Sequence, residues 1–280
     1  MGRFHSTSLR RSAGTPLSSS TTVARVSTLR ETGGDAILVA GGARAILLQI
    51  ANPAVGAGVA AHSDFSARPL DRLHGTLMYC YAQAYGTDAD RAAVARRVNT
   101  AHGPVSDAAG AASPAYSAFD PALQLWVAAT LYDTAVQIHD LVFGPLPAPA
   151  ADELYREYAA LGTGLQMPAE LWPETRSDFR AWFDAEVDRL DVTPDAARVA
   201  AQLLTLGQAP LWLRASLPVV RLVTAGLLPP RLREPFGFRW TPRQQRRFAR
   251  MLRVVRVIWP AVPRGIRFLP VRYYLRRLRG

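Results

Sequence analysis

The chain contains no lysine; all 33 of its basic side chains are arginine. Chemistry that needs a lysine amine, such as Schiff-base catalysis or a phosphate-cradling P-loop, is therefore excluded. Cysteine is almost absent as well. The single thiol, Cys80, rules out an intrachain disulfide and a thiolate zinc cluster, which suits a reducing compartment. No glutamate stands between Glu31 and Glu153, so the glutamates and Glu-x-x-His pairs of a di-iron bundle are missing from this region. His-Glu-x-x-His and Gly-x-Ser-x-Gly are missing too, which removes zincin peptidases and nucleophile-elbow hydrolases. Uninterrupted apolar runs fall short of the roughly 18 residues of a membrane span. Asp133 and His139 break the stretch after Trp126, and Arg214 and Arg221 break the one after Ala209.

Acid is scarce in one place above all. Residues 231–280 hold 15 arginines and one acid, Glu234, so this segment carries +14 while the first 230 residues carry −3. At the other end, residues 1–28 are rich in Ser, Thr and Arg. They include Arg10-Arg11 without the apolar region that a twin-arginine or secretory signal requires, and they read as a disordered leader. With no targeting or spanning signal, a cytoplasmic location is expected.

What is present is ample apolar material, 49% of 280 residues, enough for one large domain over residues 29–280. Its periodicity is helical nearly throughout. Residues 35–51 read as one buried helix limited by Pro53. Residues 70–85 place Leu70, Leu73, Leu77, Cys80 and Tyr81 at three- and four-residue spacing. Residues 88–102 read as a helix with Asp88 as N-cap and His102 at its C-terminus, before Gly103-Pro104. Asp120-Pro121 opens a long helix that stops at Gly144-Pro145. Further helices are expected over 150–162, from Glu174 to Leu190, from Pro194, and over 210–228. No period-two run is long enough to propose a sheet. The fold class is all-α, a single globular helical domain ending in an arginine-rich segment.

In that segment Phe248, Leu252, Val255 and Ile258 recur at helical spacing against an arginine face. An amphipathic helix packed on the domain with a solvated basic side is the first reading. An anionic membrane surface as partner is the second. Nucleic acid is the least favoured partner, because Pro260, Pro263 and Pro270 interrupt any long groove-reading helix.

Five histidines are available: His5, His62, His74, His102 and His139. A helix-terminal histidine can give a neutral imidazole nitrogen to iron, and Arg72 and Thr76, four residues apart, share one helix face and can address one pocket. Read from these residues alone, His102 is a C-terminal helix cap before it is an iron ligand, Arg72 is ordinarily an ion-pair or snorkelling residue and Thr76 a back-bonded helical threonine. The Gly41-Gly42 pair lacks the strand, third glycine and downstream acid of a dinucleotide loop.

Five pieces of sequence carry a family resemblance: GGARAILLQIANPAV, the His62-Ser63 of AHSDF, DRLHGT, the His102 of NTAHGPV, and YSAFDPALQLWV. From about Leu29 to Arg189, and again through LLPPRLREPFGFRW and the arginine-rich close, the chain resembles the MpaB-type and rubber (latex-clearing) oxygenase catalytic domain. The resemblance implies an all-helical fold with a globin-like core, a b-type haem, and oxidation of an apolar, isoprenoid substrate by dioxygen. It implies His102 as the proximal iron ligand, with Arg72 and Thr76 as haem-pocket and catalytic residues. Where rubber oxygenases have a lysine between the arginine and the threonine, this chain has Gly75, so the distal position is expected to be open or filled by water or His74. Many relatives read His-Pro where this chain reads Asn52-Pro53, and no acid stands in 52–63 to act as a distal base. Leu73, Leu77, Trp126 and Leu131 are the candidate apolar lining, although Trp126, like Tyr116, reads first as a core residue. The alternatives are a haem- or small-molecule-binding helical protein without turnover, and a peripheral membrane or nucleic-acid partner acting through the arginine tail.

Overall fold

The computed structural model describes residues 1–2, 28–62, 69–107, 115–205 and 211–280; the expected leader, 1–28, falls almost wholly outside them. Chain direction is set by caps. After α1 (Thr28–Thr32), the Asp35 carboxylate accepts from the Ile37 N–H at 3.2 Å and starts a 3-10 turn, Ala36–Gly41, which runs into α2 (Gly42–Ala51). One helix was expected over 35–51, and the split has a steric cause. A Cβ on Gly41 would fall 2.4 Å from both Ile138 Cδ1 and Thr134 Cγ2, so the chain here presses directly on a neighbouring helix. Asn52 then goes extended, accepts from the Ala54 and Val55 N–H groups, and restarts the chain as α3 (Pro53–His62).

Helices α4 (Pro69–Tyr85) and α5 (Asp88–His102) meet through the tight link Gly86-Thr87. The N-cap of α5 is Thr87, with Asp88 one position inside the helix. Thr87 Oγ1 accepts from the Asp90 N–H at 3.2 Å and Asp90 Oδ2 accepts from the Thr87 N–H at 2.9 Å, a reciprocal capping box that Asp88 cannot form. A two-residue antiparallel pair, β1 (Ser106–Asp107) with β2 (Tyr116–Ser117), is the departure from all-helical structure among the described residues. Strands this short leave no alternation to detect.

Asp120 caps the long α6 (Pro121–Phe143), which ends at Gly144 with φ of 88°, a conformation that favours glycine. The helix expected over 150–162 is two, α7 (Ala148–Tyr158) and α8 (Ala160–Thr163). Then come α9 (Arg176–Arg189), capped by Thr175, α10 (Pro194–Thr205) and α11 (Leu211–Leu227). The close comprises α12 (Pro230–Arg233), α13 (Pro242–Ile258), α14 (Arg264–Arg267) and α15 (Leu269–Arg279). Phe248 is buried and Leu252 and Val255 are half-buried, as the spacing predicts, but Ile258 is 58% exposed. Trp259 takes the inward position instead, donating its indole N–H to Asp35 at 2.8 Å.

Among the described residues no single helix is long and apolar enough to cross a membrane. Residues Ala36–Ala51 and Pro53–His62 reach that length and composition only as a pair, bent by 107°.

The centre of the molecule is α6, against which α2, α7, α8 and α13 pack. One side is aromatic: Tyr132 meets Tyr155, Tyr158, Trp172 and Phe179 edge-on. Trp126 stacks on Phe183 at 5.4 Å and donates its indole N–H to the Leu48 carbonyl. The other side is ionic. Asp133, buried on α6, accepts from Arg44 of α2 and Arg180 of α9, each at 2.6 Å, and Arg44 also reaches Thr134 Oγ1 and the Leu227 carbonyl. Burial pulls the Arg44 guanidinium below its usual value, and the attraction of Asp133 opposes that shift. Asp133→Ala is expected to lower unfolding free energy by about 3–5 kcal/mol, because it strands a buried guanidinium. Asp133→Leu combined with Arg44→Met should recover much of the loss; equal urea midpoints for wild type and Asp133→Ala would show that the knot is dispensable.

Candidate functional site

A partly open apolar cavity of about 130 Å³ lies between the 3-10 turn at 36–41, α2, α4, α6 and α8. That is smaller than the roughly 300–1,000 Å³ of ordinary small-molecule sites. The α2 wall is thin because it is built from Gly41, Gly42 and Ala45, with Ile46 and Gln49 on the same side. The α4 wall is the stripe Leu73, Thr76, Leu77, Cys80, Tyr81 and Ala84, a three- and four-residue repeat that keeps one face turned inward. Leu131 and Ala135 of α6, with Tyr158 and Leu161, close the far side.

Polar groups are few. Thr76 is exposed at the mouth. The Gln49 amide donates to Thr130 Oγ1 at 3.0 Å. Burial drives the Tyr81 and Tyr158 phenols well above their ordinary range, so both hydroxyls stay protonated and able to donate. The Cys80 thiol is pushed up to about 12 by the same cause, which leaves it neutral and a poor nucleophile or metal ligand at ordinary pH.

Of the candidate lining, Leu73, Leu77 and Leu131 are in place, and Trp126 is not; its ring is used up against Phe183 and Trp182 in the core. Thr76 lines the cavity. Arg72 stands one turn earlier on α4, and its side chain lies outside the described residues. His102 is the last residue of α5, half-buried, with its ring edge-on to Phe119 at 6.3 Å. It is not part of the cavity wall described above. Arg97 Nη1 of α5 reaches Met78 Sδ of α4 at 3.1 Å, a contact between the two helices. Arg72 and Thr76 share one turn of α4. Gly75, on that turn, is exposed, and a Cβ added there would meet nothing within 4 Å.

His74 is held in place by the C-terminal part of the chain. Its Nδ1 is hydrogen-bonded to the Tyr274 hydroxyl at 2.6 Å, which commits the ring to α15. His62 pairs with the Tyr116 hydroxyl at 3.1 Å, and His139 lies 3.5 Å from Asp140. Asn52 spends its carboxamide capping α3. Among the described residues, no three His, Cys, Asp or Glu side chains converge on a point that could cage a metal ion. Sequence reasoning missed Tyr158, Gln49 and the small-residue wall. Tyr81 was detectable, since it falls four residues after Leu77; Tyr158 joins the cavity only by tertiary packing.

An all-helical protein enclosing an apolar, partly open chamber with hydroxyls at its edge is thus the class that fold and geometry define. The catalytic-domain model described as "ER-bound oxygenase mpaB/B'/Rubber oxygenase" matches residues 30–257, and the chain belongs to that family. The match contains every wall of the cavity except Leu29, and also Arg72, Thr76 and His102. The chain is 35% identical over 224 residues to "Uncharacterized protein Rv2237" of Mycobacterium tuberculosis, covering 78% of this chain and 87% of the relative. The same figures hold for "Uncharacterized protein Mb2261" of Mycobacterium bovis. No solved structure matches the chain.

Because its thiol is neutral and set in an apolar wall, Cys80 should react with a thiol-specific disulfide reagent at pH 8 far more slowly in the folded protein than in urea. Equal rates in both states would contradict the placement of Cys80 in the cavity wall.

Proposed function

We propose that the chain is a haem-dependent oxygenase acting on an apolar, isoprenoid-type substrate with dioxygen. The observation that carries this reading is the apolar cavity inside the oxygenase catalytic domain, with Thr76 in its wall. The residues present suit a b-type haem. His102 stands at the C-terminal end of α5, and the α4 flank at Gly75 bears no side chain to obstruct a large planar group. A porphyrin also provides most of the ligands of its iron, so a cage of several protein donors is not required.

When bound, the haem iron supplies the binding and activation of dioxygen. His102 would hold it by a neutral imidazole nitrogen, and the Arg72 guanidinium would pair with a propionate. This chain's own groups then do the positioning. Leu73, Leu77, Leu131 and Ala135 take an extended hydrocarbon out of water, and the narrow lining restricts its conformers, which lowers the entropic cost of reaching a reactive alignment. The Thr76 hydroxyl, at the boundary between the mouth and the α4 flank, donates a hydrogen bond to an oxygen atom that develops charge there. The Tyr81 and Tyr158 hydroxyls, held protonated, offer donors to a polar end of the substrate within an otherwise apolar chamber.

Protein expressed with a supply of haem should show a Soret band and close to one b-haem per chain by pyridine haemochrome. The His102→Ala variant should lose that stoichiometric haem while remaining folded. A wild-type protein that stays colourless after reconstitution would overturn the haem reading, and an unchanged spectrum in His102→Ala would remove the ligand assignment. With the haem established, oxygen uptake driven by polyprenyl lipids tests the substrate class. Thr76→Val is expected to lower kcat about tenfold, equivalent to about 1.4 kcal/mol of lost transition-state stabilisation.

A further inference from the structure

The family match stops at residue 257, before α14 and α15. One side of α15 is anchored. Val271 and Tyr274 are buried, the Tyr274 hydroxyl bonds His74, and Arg279 pairs with the buried Asp90 at 2.7 Å. The other side carries Leu269, Arg272, Tyr273, Arg276 and Arg277 at helical spacing, and these five side chains line a shallow groove open to solvent. Leu269 and Tyr273 are 52% and 50% exposed. Arg277 donates to the Tyr273 hydroxyl at 2.9 Å, which steadies both side chains.

The arginines here are of two kinds. Arg267 and Arg279 are spent on Asp35 and Asp90, holding the tail to the body. Arg272 and Arg276 of α15, and Arg243, Arg246, Arg247, Arg250, Arg253 and Arg256 of α13, are exposed and have no carboxylate in ion-pair range among the described residues. Beside them stand exposed aliphatic side chains: Val254, Val257 and Ile258 at the end of α13, and Ile266 ahead of α15. Like charges this dense repel one another and lack a counter-charge, and the aliphatic groups gain free energy by leaving water.

We propose that the outward face of α15 docks the protein on a bilayer surface containing anionic phospholipid. Guanidinium groups pair with lipid phosphates in the forked geometry that suits arginine. Tyr273 sits at the headgroup boundary, and Leu269 and Ile266 enter the edge of the acyl region. Nucleic acid offers the phosphates but no apolar phase for those side chains. The docking surface depends on neither the haem nor turnover, so it stands or falls apart from the oxygenase reading.

The test is co-sedimentation of the full chain with phosphatidylcholine vesicles made with and without phosphatidylglycerol, alongside a duplex DNA titration at the same salt. Binding should require phosphatidylglycerol and weaken as salt rises. Each surface arginine is worth about fivefold in partitioning, so the triple variant R272Q/R276Q/R277Q should bind at least about tenfold more weakly with an unchanged melting temperature. The variant L269S/Y273S should lose vesicle affinity and keep any DNA affinity. Equal binding to both vesicle types, binding to neither, or a triple variant that partitions like wild type would overturn the proposal. Tighter binding to duplex DNA than to anionic vesicles would also overturn it.

Discussion

Asp133 is a carboxylate in the middle of the longest helix of the molecule, and much of the fold is arranged to satisfy it. An unpaired charge at that depth would cost several kcal/mol. The demand is met by Arg44 from α2 and Arg180 from α9, and Arg44 in turn satisfies the carbonyl of Leu227 at the end of α11. Four helices are therefore tied at one point. The tie also fixes the rotation of α2 about its own axis. Arg44 points into the knot, and at 100° per residue Gly42, Ala45, Ile46 and Gln49 fall on the opposite side, where they form the thin wall of the cavity. The polar knot and the apolar chamber are two consequences of a single helix orientation.

The same device recurs where the arginine-rich tail meets the body. Asp35 takes Arg267 and the Trp259 indole, and Asp90 takes Arg279 while completing the cap of α5. Hydrogen bonds from Arg279 and from the Thr87 backbone hold the Asp90 carboxyl far below its usual range, so the link between α15 and α5 is present across the whole range above ordinary carboxylate titration and fails only in strong acid. Arg231 is consumed by the carbonyls of Val187 and Leu190, and Arg233 stacks on Trp240 while bonding Leu228. Once these are set aside, Arg243, Arg246, Arg247, Arg250, Arg253, Arg256, Arg272 and Arg276 are exposed with no carboxylate in ion-pair range among the described residues.

Parts of the candidate site were readable before any coordinates. Leu73, Thr76 and Leu77 were legible because periodicity on one helix is a local property, and an inward stripe is recognisable without knowing what it faces. Trp126, a candidate for the lining that reads first as core, is in the core, and the lining alternative stood open for the complementary reason. Helix α6 is buried on nearly every side, with Leu125, Trp126, Ala128, Ala129 and Tyr132 all enclosed, so hydrophobicity alone could not say which flank meets the cavity and which meets the aromatic core. The bond of His74 Nδ1 to Tyr274 was not readable, because Tyr274 is brought to it by the docking of α15. Asp88 looked like the cap of α5, and the choice of Thr87 depended on the reciprocal bond to Asp90.

By itself the sequence determined the helical class, most helix ends, the exclusion of lysine, di-iron and zincin chemistry, and the oxygenase family, since all of these rest on composition, local periodicity or ordered short motifs. Only the tertiary structure decided which side chains share a chamber, which buried acid claims which arginine, and which arginines remain free to face outward. Those choices depend on contacts between residues far apart in the chain, such as Arg44 with Asp133 or Arg267 with Asp35, and no local pattern encodes the partner of a side chain that meets it only after folding.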